Sequence, residues 1–208
     1  MNEDHGATGT EADATEPGPG PWDVPQPPSA VPALAGGRFT ILQTEDDVPW
    51  LPHPNTCQLV LADTPPPAAL VPAAFAFAFS GDRLLLARLI RRGLEVPGGH
   101  VESGESPEQA VVREAREEAG AHLTAVRALA YQRHQIRCGR PDGYPFPYPE
   151  NYMSFYTARV LALEEVVPGE ETAGAVLLGP DAARAVPWVR AHLALYEAAL
   201  RRATAGTT

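Results

Sequence analysis

One stretch constrains this chain more than any other: the run from Ser106 to Gly120. Ser106 is a good helix N-cap, Pro107 suits the first helical position, and Gln109 completes a capping-box pattern. Gly120 is a typical C-terminal stop. The spacing predicts a helix over 107–119. Glu114, Glu117 and Glu118 fall at i, i+3 and i+4, so they share one face. Glu105 lies just before the helix. Clustered carboxylates repel each other unless a cation sits among them, and hard divalent cations such as Mg²⁺ take oxygen ligands. Arg113 stands four residues before Glu117 and can pair with an acid. Val111, Val112, Ala115 and Ala119 are expected to pack on a sheet. Taken alone, the charges also describe a solvated, salt-bridged surface helix. The residues around them decide between the two.

The flanking segments read as strands. Phe75, Phe77 and Phe79 alternate with alanines, as in a strand buried on both faces. Ser80-Gly81-Asp82 signals a turn, and 83–90 reads as the returning strand of a hairpin. A short extended piece, 94–96, ends at Pro97-Gly98-Gly99. Further strands are predicted at 123–136, 152–163 and 173–178, with a proline-aromatic loop at 140–150. Helices are predicted at 180–185 and 188–203, with Trp188 anchoring the second in the core. Two short strands, 38–43 and 58–62, precede the core around a polar loop. Strands mixed with helices point to an α/β or α+β sandwich.

Residues 1–37 carry six acids and no base, which leaves 20 acids against 16 bases in the rest of the chain. Residues 1–35, rich in Gly and Pro, are expected to form a disordered tail, and 36–205 a single domain. A weakly acidic body is a poor duplex-binding surface, so no duplex nucleic acid is expected as partner. All 16 basic residues are arginine. That removes any mechanism needing a nucleophilic or P-loop lysine. Cys57 and Cys138 have no metal-ligand spacing and read as free thiols. With no signal pattern and no apolar run long enough to span a bilayer, a cytoplasmic protein without a membrane partner is expected.

From Gly99 to Ala121 the chain reads GHVESGESPEQAVVREAREEAGA. This resembles the box of the Nudix hydrolase family, which includes the MutT-like pyrophosphohydrolases. Its fixed positions fall without a gap on Gly99, Glu105, Arg113, Glu114, Glu117, Glu118 and Gly120. Ala115 and Ala121 fill its hydrophobic positions with a small residue. The lead-in Leu94-Glu95-Val96-Pro97-Gly98-Gly99 is also similar to the family's. The resemblance covers the box closely and 70–178 more loosely.

The resemblance implies an α/β/α sandwich with a mixed sheet, the family's loop-helix-loop and a C-terminal helix. It also implies Mg²⁺ or Mn²⁺ held by Glu117, Glu118, Glu114 and the Gly98 carbonyl. Glu105 would support that site, and Arg113 would hold a glutamate in place. The activity implied is hydrolysis of a nucleoside diphosphate linked to a second group, with a nucleoside triphosphate as the leading example. A non-catalytic nucleotide sensor and an ADP-ribose or sugar-nucleotide pyrophosphatase are the alternatives. The absence of a proline about sixteen residues past Gly120 weakens ADP-ribose. Homodimers are common in the family, so a homodimer is an expectation here. Arg88, Arg91 and Arg92 precede the box; Arg88 is the candidate phosphate contact and the other two read as a charged strand end. Tyr148, in a loop with Tyr144 and Phe146, is a candidate substrate contact. Glu150, Glu164, Glu165, Glu170 and Glu171 are left open as general bases. His100 and His134 read as structural or solvent-exposed residues.

Overall fold

In β3 (Ala73–Ser80) the alternation of phenylalanine and alanine sorts two kinds of side chain onto the two faces of a sheet. A computed structural model describes residues 38–166 and 171–205. The expected disordered tail, 1–35, lies outside the described residues. β3 lies inside a sheet ordered β1-β2-β7-β8-β3-β4-β5. The strands are β1 (Phe39–Asp46), β2 (Asn55–Ala62), β4 (Arg83–Leu89), β5 (Gly93–Glu95), β7 (Ala121–Ile136) and β8 (Glu150–Leu163). The short β6 (Gly98–His100) pairs with β3, and β9 (Thr172–Leu178) with β4. β3 runs parallel to β8 and antiparallel to β4 and β6, so the sheet is mixed.

Phe77 and Phe79 join Leu84 and Leu86 of β4, Leu129 of β7 and Phe155 of β8 on one face. Three short helices cover that face: α2 (Pro180–Ala185), α3 (Pro187–Ala191) and α4 (Leu193–Ala205). They contribute Ala183, Val189, Leu195, Tyr196 and Ala199. The other face presents Ala74, Ala76 and Ala78 to α1 (Pro107–Ala119), which meets them with Val111, Ala115 and Ala119. Alanine on both surfaces brings helix and sheet backbones close together. The result is the expected three-layer α/β/α sandwich. Interiors packed at crystal density tolerate added volume poorly. Ala76→Leu is therefore expected to destabilise the protein by about 2 kcal/mol. Urea unfolding checks this, and an unchanged midpoint would contradict the close approach.

α1 forms as its sequence predicts. The Ser106 hydroxyl accepts from the Gln109 N–H, and the Gln109 side chain accepts from the Ser106 N–H at 2.8 Å. Gly120 closes the helix in the left-handed region, φ 61°. One side chain departs from expectation: Val112 is 40% exposed rather than packed on the sheet. The helix predicted at 188–203 is broken at His192, whose backbone leaves helical angles at φ −113°, ψ 31°. Its ring Nδ1 lies 2.9 Å from the Trp188 carbonyl, and its ring stacks on Trp188 at 4.0 Å. Trp188 packs on Phe77 at 5.9 Å, anchoring the helical layer as expected.

The β1–β2 ladder is longer than its apolar pattern suggests, running to Asp46 opposite Thr56. Asn55 is the cause. Its side chain accepts from the Val48 N–H at 3.0 Å and donates to the Val48 carbonyl at 3.1 Å, closing the loop beyond the strands. No helix among the described residues is long and apolar enough to cross a membrane.

Candidate active site

Three glycines and one arginine position the box carboxylates, two of which, Glu114 and Glu118, face a single cleft. β6 carries Gly98 and Gly99 alongside β3, where there is no room for a side chain. A Cβ on Gly98 would stand 2.5 Å from the Ala74 carbonyl oxygen. A Cβ on Gly99 would stand 2.3 Å from a Glu114 carboxylate oxygen, so this glycine forms the cradle in which Glu114 rests. Gly120 is equally tight, with a Cβ falling 2.3 Å from the Glu164 carbonyl oxygen.

Arg113 organises the acids. Its Nε and Nη2 donate to the two oxygens of Glu105, each at 3.1 Å. Its Nη1 donates to Glu114 at 2.9 Å and to Glu117 at 3.1 Å. Nη2 also donates to the His100 carbonyl at 2.9 Å. All five guanidinium N–H groups are thereby used. Hydrogen bonds from Arg113 hold the Glu105 carboxyl below the usual carboxylate range. Burial pushes Glu114 up despite Arg113.

Glu118 is set apart. It is 8% exposed and accepts a 3.0 Å hydrogen bond from the Gly98 N–H. Arg92 stands 3.9 Å away. Burial is the largest influence on its carboxyl and raises it to about 7; the Glu114 charge adds to the rise, while the Gly98 bond and Arg92 oppose it. A carboxylate kept dry beside other acids is poised to take up a cation.

Glu114, Glu118, Arg113, Gly98 and Gly99 line a cleft of about 550 Å³, together with Leu89, Arg91, Arg92, His100, Glu102 and Glu171, whereas Glu117 lines a separate hollow beside Val112 and Arg116. A larger groove, about 1080 Å³, holds none of the fixed box positions. Among the described residues no three Asp, Glu, His or Cys side chains stand together as a ready metal set. Arg113 engages Glu105, Glu114 and Glu117, while the Gly98 N–H engages Glu118. The donor chemistry nonetheless fits a hard divalent cation. The donors are carboxylate oxygens on one helix face, one of them desolvated, beside the cradle of Gly99. The Glu117 side chain is 60% exposed and has room to change partner.

The other sequence candidates are dispersed. Arg88 is exposed on β4, where alternation places it with Leu84 and Leu86, on the face opposite α1. It does not line the cleft. Arg91 and Arg92, which read as an ordinary strand end, do line it, because the turn after β4 carries them past the sheet edge. Tyr148 donates its hydroxyl to the Cys138 carbonyl, bracing its own loop, and is absent from the cleft lining. That loop still reaches the site's edge, since Phe146 stacks on His100 at 6.0 Å. His134 is buried with Nδ1 2.9 Å from the Asn151 side-chain oxygen, a structural role. Cys57 and Cys138 are free thiols.

The candidate bases separate too. Glu150 is locked to buried Arg133 at 2.6 Å and accepts from the Tyr152 hydroxyl. Glu164 pairs with His122 at 2.8 Å. Glu165 is exposed outside the cleft lining, and Glu170 lies outside the described residues. Glu171 alone of these candidates lines the cleft. Nothing in the spacing of the sequence distinguishes Glu171, Arg91 or Arg92.

Comparison with known proteins agrees with this architecture. The profile of the NUDIX domain matches residues 69–203. An 8-oxo-dGTP diphosphatase of Haemophilus influenzae is 42% identical over 65 residues, which cover 31% of this chain. The matched stretch spans 39% of that relative's length. The crystal structure of a Bacillus subtilis pyrophosphohydrolase superposes with a TM-score of 0.56 at 23% identity, covering 77% of this chain and 97% of that one. With the box intact, three of its four carboxylates on α1 and the profile running through to the last helix, this chain belongs to the NUDIX domain family.

Proposed function

We propose that this chain hydrolyses a phosphoanhydride bond in a nucleoside diphosphate linked to a second group, in a reaction dependent on Mg²⁺ or Mn²⁺. A nucleoside triphosphate is the leading substrate. The observation that carries this reading is the cleft itself. Glu114 and Glu118 from α1 line it together with Arg91 and Arg92 from the turn after β4, so carboxylates and guanidinium groups share one lining. The 8-oxo-dGTP diphosphatase relative supports a triphosphate.

Glu114, Glu117, Glu118 and the Gly98 carbonyl would hold the cation. When bound, it would screen the phosphate charge and lower the pKa of a water. The chain's own residues do the rest. Arg91 and Arg92 offer planar guanidinium forks suited to phosphate oxygens. Arg113 keeps Glu105 and Glu114 aligned while the His100 carbonyl fixes its own position. Gly98 lets β6 lie tight against β3, and Gly99 leaves the space in which the Glu114 carboxylate rests.

Purified protein with Mg²⁺ should release phosphate or pyrophosphate from one class in a panel of nucleoside triphosphates, dinucleoside polyphosphates, ADP-ribose and sugar nucleotides. Glu117→Gln should lower kcat on that compound by about 100-fold or more, as expected when an electrostatic contact to the reacting groups is lost. Silence of the wild type across the panel, with nucleotide binding retained, would replace hydrolysis with sensing.

A further inference from the structure

Hydrolysis needs a group to take a proton from the attacking water, and the box acids are committed elsewhere. Glu105 is held by two hydrogen bonds from Arg113. Glu118 is held by the Gly98 N–H, and Glu114 and Glu117 by Arg113. Outside the box, Glu150 and Glu164 are tied to Arg133 and His122. Glu171 differs from all of these. It is exposed, stands in the lining of the cleft, and comes from outside the helix, as the residue just before β9.

Its position is built rather than incidental. The Glu171 carbonyl accepts from the Ile90 N–H at 3.0 Å, which ties it to the end of β4 beside Arg91 and Arg92. The next residue, Thr172, is buried, and its hydroxyl donates to the backbone carbonyl of Glu118 at 2.8 Å. The same hydroxyl accepts from the Gly174 N–H at 3.2 Å. Two anchors, one at the end of β4 and one on the last turn of α1, therefore fix the backbone at residues 171 and 172 and keep Glu171 in the lining of the cleft that Glu114 and Glu118 also line.

We infer that Glu171 is the general base of the reaction and Thr172 its positioning residue; the inference rests on the hydrolase reading above. A Glu171 carboxylate oxygen takes a proton from the attacking water as the water oxygen bonds to phosphorus. The bridging P–O bond breaks, and its electron pair leaves with the departing phosphate or pyrophosphate oxygen. The proton on Glu171 then passes to solvent, which restores the carboxylate. No further reactant is required.

The test compares wild type, Glu171→Gln, Glu171→Asp and Glu117→Gln on the compound the wild type turns over best. Mn²⁺ affinity is measured separately by electron paramagnetic resonance without substrate. A positioned base contributes about 100-fold or more. Glu171→Gln should lose that factor in kcat with KM and Mn²⁺ affinity unchanged, and Glu171→Asp should recover part of it. Glu117→Gln should lose Mn²⁺ affinity. Thermal unfolding of the Glu171 variants should match the wild type, because the side chain is exposed. Unchanged kcat in Glu171→Gln would overturn the assignment. So would a fall in Mn²⁺ affinity matching Glu117→Gln, which would make Glu171 a metal ligand, or a raised KM with kcat intact, which would make it a substrate contact. A wild type silent on every compound would overturn the hydrolase reading and this assignment with it, a result distinct from a failure confined to Glu171.

Discussion

Glu118→Gln should make the metal-free protein more stable at pH 8 while abolishing turnover. Glu118 is 8% exposed, and burial raises its carboxyl to about 7 from an ordinary 4.5. The folded chain therefore holds this proton more tightly than the unfolded chain does. Between those two values the folded state binds more protons, so stability falls as pH rises from about 4.5 towards 7 and stays low above it. At about 1.4 kcal/mol per unit, the ceiling on this loss is about 3 kcal/mol. Glutamine keeps an oxygen to accept from the Gly98 N–H and carries no charge to desolvate. A gain of about 2 kcal/mol at pH 8 is expected, shrinking markedly at pH 5, where the wild-type carboxyl is already protonated when folded.

Urea unfolding in the presence of a chelator, at both pH values, checks this. Mn²⁺ should then raise the stability of the wild type and leave the variant unmoved, since binding to the folded state alone adds stability. A variant no more stable than wild type at pH 8 would mean that Gly98 and Arg92 fully satisfy an ionised Glu118. The opposite signs for stability and activity would mark a carboxylate kept at a cost because the reaction uses it.

The sequence made α1 legible because every signal there is local. The cap, Pro107, the i, i+3, i+4 acids and the closing Gly120 need no tertiary information. The alanine-phenylalanine alternation of β3 was legible for the same reason, and it foretold both layers that cover the sheet. What was not legible depends on side chains far apart in sequence or on backbone angles. The break at His192 follows from a ring stacked on Trp188 and bonded to its carbonyl, which an unbroken apolar pattern cannot show. The length of the β1–β2 ladder depends on Asn55 reaching across its loop.

Arg88 is the candidate phosphate contact by the family resemblance, but strand parity sends it to the face opposite α1, and Arg91 and Arg92 line the cleft instead. Glu171 was one acid among five in the sequence. Only its place in the cleft lining and the two anchors at its carbonyl and at Thr172, which tie it to the end of β4 and to α1, single it out. The box could be read as a string because its residues are close in sequence and most of them lie on one helix. The other half of the cleft could not, because β4, β9 and the turn at 90–92 meet there only after folding.

Arg113→Met is the other large effect expected, and its pH dependence should run opposite to that of Glu118. Methionine retains most of the stem's packing and removes the guanidinium, leaving Glu105, Glu114 and Glu117 without their shared counter-charge. The His100 carbonyl loses its donor as well, so the lead into α1 loosens. Breaking a partly buried hub of this kind is expected to cost about 2–3 kcal/mol at neutral pH. Arg113 holds the Glu105 carboxyl below its ordinary value, so that stabilisation is present above the unfolded pKa and is lost as pH falls through the folded one. The gap between wild type and variant should therefore narrow as the acids protonate. Lysine at this position supplies the charge without the five-donor fork and should fall between the two. A chemical denaturation series from pH 3 to pH 8, about the span over which carboxylates titrate, checks the sign. A constant gap across that range would assign the loss to packing of the arginine stem rather than to charge. A narrowing gap, with Mn²⁺ restoring part of the stability at neutral pH, would show that Arg113 and the metal compensate the same carboxylates in turn.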